Sequence, residues 1–477
     1  MRALFVAGLA IQGCEKDCVG VGCLERFGAA SAAMHLGRTI PDQGRYPPTE
    51  ASITVRGTNA QGPDWDVAIV PDHILVGSQL DSTVRAYRPV TGEFIDEADS
   101  VGAMVGEHAT DAFGHRVRAI SNIDGGLDLL VTAPRLSTTA AIRHVGAVYR
   151  FPDIGSGWEG GVDTNTSLFR LQGDSPGGLL GASLEVCPDM DGDDAEEWVA
   201  AATRDASTAQ MGGQVILGRS LDLEGLPQQL GVSVLKTRWD GNDLGGLAGK
   251  ALDCRSDLDG DGVPDLVIGA PFADQSVAGS DEDAVGAVYI MTGATPADAG
   301  QLRSKADLVL QIGQTNDWFG WSVSTGDLDG DLLADLVVGS PGSGEALGQV
   351  TIWSGASLLD EEEPEPQVLI SGAFEASRFG WSTHVADVNG DGQADLIVGA
   401  PYTNPTEEDV AYNAGQISIF YGGKSFDAWP QNPTSENATL IYTEPAQYLR
   451  SGESVFSGNF DGDERTDLVF LHRAEGG

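Results

Sequence analysis

A chain of 477 residues with 71 acidic against 27 basic side chains, for a formal charge of -44, suits no phosphate backbone, so DNA and RNA are excluded as expected partners. Its 64 glycines and 22 prolines signal many turns, without the three-residue period of a collagen, and its Val/Leu/Ile runs are unlike a disordered tail. At this length one core requires a large closed or repetitive fold, and the pattern of residues has to decide which.

At the N-terminus, Arg2 precedes the apolar stretch Ala3 to Ile11, then Gln12, Gly13 and Cys14. This reads as a signal peptide over residues 1–13 and resembles the lipobox of bacterial lipoproteins, which implies lipidation of Cys14. Gln12 departs from that pattern, since a small residue is usual there, and the alternative is an apolar N-terminal strand. The expected location is the cell surface or outer membrane as a lipoprotein, or alternatively the medium as a secreted protein. A cysteine-containing segment, 14–26, follows. Cys18 and Cys23 could pair in a small loop, while Cys187 and Cys254 hold nearly equivalent places in neighbouring repeats and either bridge them or stay as buried thiols.

From residue 27 to 477 the chain repeats itself. Phe319-Gly320-Trp321-Ser322 to Asp335-Leu336-Val337-Val338-Gly339-Ser340-Pro341 returns as Phe379-Gly380-Trp381-Ser382 to Asp395-Leu396-Ile397-Val398-Gly399-Ala400-Pro401, with related outlines led by Phe113-Gly114, Leu180-Gly181, Ala248-Gly249 and Ser451-Gly452. Each unit reads as a first strand, an acidic turn, an apolar second strand, a variable connection and a third strand opened by a glycine (Gly146, Gly213, Gly286, Gly348, Gly415), with a less regular fourth. One four-stranded sheet cannot hide both faces, so neighbours must stack, and radial stacking of such sheets is a β-propeller. An all-β, seven-bladed propeller is therefore expected, with approximate blades 27–112, 113–179, 180–247, 248–318, 319–378, 379–450, and 451–477 completed by N-terminal strands. The opening strand of the first blade is placed near Phe27-Gly28 or near Ser52-Ile53-Thr54-Val55.

Five turns share one spacing, with acids or Asn at positions one, three and five, glycine at four and an acid at nine. They are Asp189, Asp191, Asp193 and Glu197; Asp257, Asp259, Asp261 and Asp265; Asp327, Asp329, Asp331 and Asp335; Asp387, Asn389, Asp391 and Asp395; and Asn459, Asp461, Asp463 and Asp467. Carboxylates crowded into so short a turn repel one another unless a cation sits among them, and hard oxygen ligands suit Ca²⁺. The carbonyl at position seven (Ala195, Val263, Leu333, Gln393 or Arg465) would add a ligand, so about five calcium ions are expected. The turn Asn122 to Asp128 is two residues shorter and lacks the central acid, which predicts a plain turn or a weak site.

The recurrence of the Phe-Gly lead, the acidic turn and the Gly-Ala-Pro ending, from about residue 65 onward, resembles the FG-GAP repeats of the integrin α-subunit propeller. The resemblance implies seven blades, calcium in hairpin loops on one face and partner binding through the opposite face. No inserted adhesion domain, leg domain or membrane helix is visible, so heterodimerisation with a β subunit is not implied and a prokaryotic surface protein is the expected setting. Some eukaryotic phospholipases carry similar propellers beside a separate catalytic domain, for which no room is expected here.

Chemistry elsewhere is sparse. The seven histidines do not cluster, and no Gly-x-Ser-x-Gly, His-Glu-x-x-His or phosphate-cradling glycine loop is present, so no catalytic residue is assigned. His115 and His384 fall inside repeated first strands and read as framework. The expected function is a non-catalytic, calcium-stabilised extracellular binding or adhesion scaffold; a carbohydrate-binding surface protein is the alternative, and a secreted hydrolase ranks behind both. Candidate recognition surface lies in the connections 135–145, 272–285, 342–347 and 402–414, which are acidic and carry Phe272, Tyr402 and Tyr412. They suggest a basic protein patch, or a glycan held by aromatic stacking and calcium.

Overall fold

The computed structural model describes residues 2–5, 33–37, 44–46, 51–56, 65–70, 73–88, 93–96, 99–122, 124–139, 143–152, 162–206, 211–219, 227–243, 245–274, 284–293, 299–359, 364–404, 413–443, 450–458 and 466–471. Cys14, Cys18, Cys23, the pair Phe27-Gly28, Tyr412 and the turn from Asn459 to Arg465 lie outside the described residues.

The described strands gather into seven sheets, and the repeat unit accounts for their order. Ser322–Gly326, Asp335–Ser340, Gln349–Trp353 and Val368–Ser371 pair antiparallel in sequence, each hydrogen-bonded to the next. Ser382–Ala386, Asp395–Ala400, Gln416–Phe420 and Leu440–Thr443 repeat the arrangement, as do Ala251–Asp253, Leu266–Ala270, Ala287–Met291 and Leu308–Leu310. The second strand of a unit is buried along its whole length, at Asp335–Ser340 and again at Asp395–Ala400. Sheets cover it from both sides, which is why it reads as an unbroken apolar run and not as an alternation.

The core therefore lies between sheets. Val288 and Ile290 of one unit pack with Phe319, Leu336, Val338 and Trp353 of the next, and Val337, Val350 and Ile352 pack with Phe379, Leu396 and Val398 of the one after. Two recurring glycines set how close the sheets come. A Cβ on Gly339 would lie 2.2 Å from the Gly380 carbonyl oxygen, and one on Gly348 2.2 Å from the Phe379 carbonyl oxygen, so neither position has room for a side chain. First strands run side by side in chain order, from Trp65–Val70 through Val117–Ser121 to Ser454–Gly458. Polar side chains tie them together: Arg118 reaches Asp66 at 2.6 Å and Glu185 at 2.9 Å, and Asp253 accepts the Thr325 N–H at 2.9 Å. His115 meets Gln79 at 3.0 Å and the Ala182 carbonyl at 3.1 Å, while His384 meets Ser457 at 2.6 Å, so both histidines bridge neighbouring units. A disulfide joins Cys187 to Cys254 and links two adjacent first strands just before their acidic turns.

The N-terminal part departs from the simple repeat. Trp65–Val70, His73–Ser78, Thr83–Tyr87 and Gly102–Val105 form one sheet, so its opening strand starts later in the chain than either expected position. Ala51–Arg56 instead belongs to a sheet with Ser454–Gly458, Asp467–Leu471, Arg2–Phe5, Ala33–Gly37 and Glu93–Asp96, in which Arg2–Phe5 runs parallel to Asp467–Leu471. The architecture is all-β and propeller-like.

Candidate metal-binding turns

Each acidic turn among the described residues joins the first strand of a unit to the second, so these turns open at the same end of their sheets. The first-position carboxylate folds the turn onto itself: Asp327 accepts the Gly330 N–H at 2.7 Å and the Leu332 N–H at 3.0 Å, and Asp257 accepts those of Gly260 and Gly262 at 2.6 and 2.7 Å. Position four needs the left-handed backbone, with φ of 80° at Gly192, 77° at Gly260, 83° at Gly330 and 73° at Gly390, which explains its invariable glycine. Position six is left-handed too, filled by Gly262 and Gly392 but by Asp194 and Leu332 in the other two turns.

The last acid of the pattern sits at the buried start of the second strand. Asp335 accepts the Leu328 N–H at 2.7 Å and the Gly355 N–H at 3.1 Å, and Asp265 and Asp395 are held in the same way. Burial, against those N–H donors and with the help of neighbouring acids, pushes Asp335, Asp395 and Glu197 up to about 7 and Asp265 up to about 6.

Positions one, three and nine converge. Oxygens of Asp189, Asp191 and Glu197 lie within 4.8 Å of one another, as do those of Asp257, Asp259 and Asp265, and of Asp327, Asp329 and Asp335. In the first of these clusters Glu197 Oε1 and Asp191 Oδ1 are buried without a hydrogen-bond partner among the described residues, the condition a cation relieves. An all-oxygen donor set of this kind could coordinate a hard divalent cation and is consistent with calcium-type sites. The fifth-position acids Asp193, Asp261 and Asp331 stand outside the clusters and accept the N–H of residues 195, 263 and 333. In the fourth turn Asn389 replaces an acid, and its amide donates to Asp395 at 3.3 Å. The turn from Asn459 is outside the described residues.

The short turn of the second unit takes another course. Asn122 donates to Asp128 at 2.9 Å, and Arg150 donates to the other oxygen of Asp128 at 2.8 Å. Sequence reasoning missed that arginine, since it stands on the third strand, 22 residues away. It also missed what surrounds Phe272 and Tyr402: Phe272 lies edge-on to Trp318 at 5.9 Å, and Tyr402 edge-on to Trp381 at 5.5 Å.

The FG-GAP repeat family matches residues 255–291, 319–353 and 379–420. Integrin alpha-5 of Xenopus laevis is 32% identical over 156 residues, covering 32% of this chain and 14% of that protein. The phosphatidylinositol-glycan-specific phospholipase D of Homo sapiens is 34% identical over 210 residues, covering 42% of this chain and 23% of that protein. The matched segments thus span less than a quarter of either relative, at 14% and 23%. Among solved structures, the Dos1 propeller gives a TM-score of 0.42 at 11% identity, covering 95% of this chain and 87% of that one. Chaetomium thermophilum Sqt1 gives 0.48 at 10% identity, covering 93% and 88%. Residues 255–291, 319–353 and 379–420 thus match FG-GAP repeats, and the chain is similar there to part of the integrin α chain, a likeness consistent with a non-catalytic structural domain.

Proposed function

We propose that this chain is a calcium-stabilised, non-catalytic scaffold that binds a partner outside the cell, its sheets closing as seven blades and its five acidic turns each holding one calcium ion. The observation that carries the reading is the convergence of three carboxylates, within 4.8 Å, at three equivalent turns of a repeat. Spacing extends it to the turns ending at Asp395 and Asp467. An active site is needed once, whereas a structural ion between strands is useful in every unit. Extracellular modules hold calcium at roughly 10⁻⁴–10⁻³ M, so millimolar calcium fills such turns and the cytosol leaves them empty. Export, with the lipid carried by Cys14, rests on the sequence from Arg2 to Cys14 and competes with the pairing of Arg2–Phe5 with Asp467–Leu471, because cleavage ahead of Cys14 would remove that strand; the N-terminal residue of the mature protein decides between them.

Calorimetric titration of the chelated protein tests it. Glu197, Asp335 and Asp395 at about 7 and Asp265 at about 6 stand above their unfolded values, so the ion-free fold binds protons more tightly than the unfolded chain. Its proton-linked stability is complete below the ordinary carboxylate range and is lost as pH rises through about 7. Calcium must displace those protons, so binding at pH 7 should release about half a proton at each turn ending in a group near 7. Titration in buffers of different ionisation heat reads that number. Calcium binding without proton release, or equal affinity for magnesium, contradicts the proposed ligand set.

A further inference from the structure

We infer that the end of the sheets opposite the acidic turns carries a docking site for an acidic segment of a protein partner, built from cations laid on tryptophan and tyrosine rings. The inference rests on the scaffold reading above and names the chemistry of the partner.

Three units contribute to the site. Trp318 and Trp321 stack at 5.2 Å, Trp321 meets Trp381 at 4.7 Å, and Phe272 and Tyr402 close the two ends of the row. All five rings are half-buried. Lys250 Nζ lies 4.5 Å from the centre of the Trp321 ring, and Arg378 Cζ lies 4.3 Å from that of Trp318 and 5.9 Å from that of Tyr402. Arg450 covers Tyr402 at 4.9 Å.

These residues occupy repeated positions. Trp318 and Arg378 each precede the residue that leads their unit and have φ of 60° and 54°, as Ala112, Leu179 and Leu247 do at 58°, 61° and 53°. The backbone shape belongs to the repeat, whereas the ring and guanidinium chemistry belongs to this part of the molecule.

Charge supplies the partner's chemistry. A chain with 71 acidic residues has carboxylates in excess, yet among the described residues neither Lys250 nor Arg378 is paired with one. Arg378 Nη1 is buried without an acceptor among the described residues. Burial, and then the charge of Arg116, lower the Lys250 ammonium to about 8. A ring holds a cation through its face and leaves the N–H donors free, so carboxylate oxygens from outside can still be taken up. Hydrogen bonds between charged groups in such a half-desolvated place are the strong kind. A cation lies over a face of Trp321, Trp318 and Tyr402, which leaves less ring surface there for a sugar to stack on. Trp, Tyr and Arg gathered in one row are the composition of a protein-binding hot spot.

The test uses the intact, calcium-loaded protein and a fluorescein-labelled oligo-glutamate peptide, followed by anisotropy, with oligo-lysine and polygalacturonate in parallel. Oligo-glutamate should bind, Lys250→Met with Arg378→Gln should weaken that binding at least tenfold while the melting temperature stays near that of the parent, and any binding of oligo-lysine to this strongly acidic chain should be unaltered by the two substitutions. Should that double variant fail to fold, the tryptophan emission of the unaltered protein must still change on adding oligo-glutamate. Absence of binding, binding indifferent to the two substitutions, unchanged tryptophan emission, or binding of polygalacturonate alone overturns the inference. The calcium dependence of melting is read on the same samples: if it is retained while the peptide fails, only the acidic partner is lost, and if it is missing, the scaffold reading itself falls.

Discussion

The turn from Asn122 to Asp128 and the turn from Asp327 to Asp335 join the same two strands of their units and dispose of their charge differently. In the shorter one, Asp128 is buried and neutralised inside the protein by Arg150 at 2.8 Å, with the Asn122 amide on its other oxygen. In the longer one, three carboxylates converge, no basic side chain pairs with any of them among the described residues, and the buried Asp335 is pushed up to about 7. The turn from Asp189 lies between these extremes: Arg219 approaches Asp191 at 3.1 Å, yet Glu197 Oε1 keeps no partner. A repeat can thus neutralise the acid at the head of its second strand with its own cation or leave room for one from solution. Both solutions preserve the hairpin, but only the second makes stability depend on the medium.

The largest effect that could break this contrast comes from Asp128→Ala. It breaks the buried ion pair with Arg150 and should cost about 3–5 kcal/mol, equally with and without calcium. Urea unfolding in calcium and in chelator measures it; a loss confined to the calcium sample would mean that this turn, too, binds an ion. A smaller effect is expected from Asp329→Ala, which accepts the exposed Asp331 N–H. It should remove roughly 0.4–1.4 kcal/mol in millimolar calcium and almost nothing in chelator. Equal destabilisation in both media would mean that Asp329 shapes its turn and does not hold an ion.

Much of this was legible in the sequence, for an identifiable reason. The second and third strands, such as Asp335–Ser340 and Gln349–Trp353, and the acidic turns are local features that recur, and recurrence separates signal from chance. The N-terminal strands were not legible. Arg2–Phe5 pairs with Asp467–Leu471 from the far end of the chain, and its apolar stretch reads equally well as a leader. Arg150 beside Asp128 and Lys250 beside Trp321 escaped for a related reason. Each pairing depends on sheet register or on the neighbouring unit, which no single stretch of sequence records. The disulfide between Cys187 and Cys254, left open against buried thiols, was settled by the two first strands lying side by side.

The central claim is that the acidic turns stay folded because a dication sits among their carboxylates. Melting the unaltered protein with millimolar calcium and again with excess chelator, while counting bound metal, addresses it most directly. About five bound calcium ions are expected from the five turns, with a clear fall in melting temperature on chelation that calcium restores and magnesium does not. A protein that binds no calcium and melts at one temperature in both media would contradict the claim.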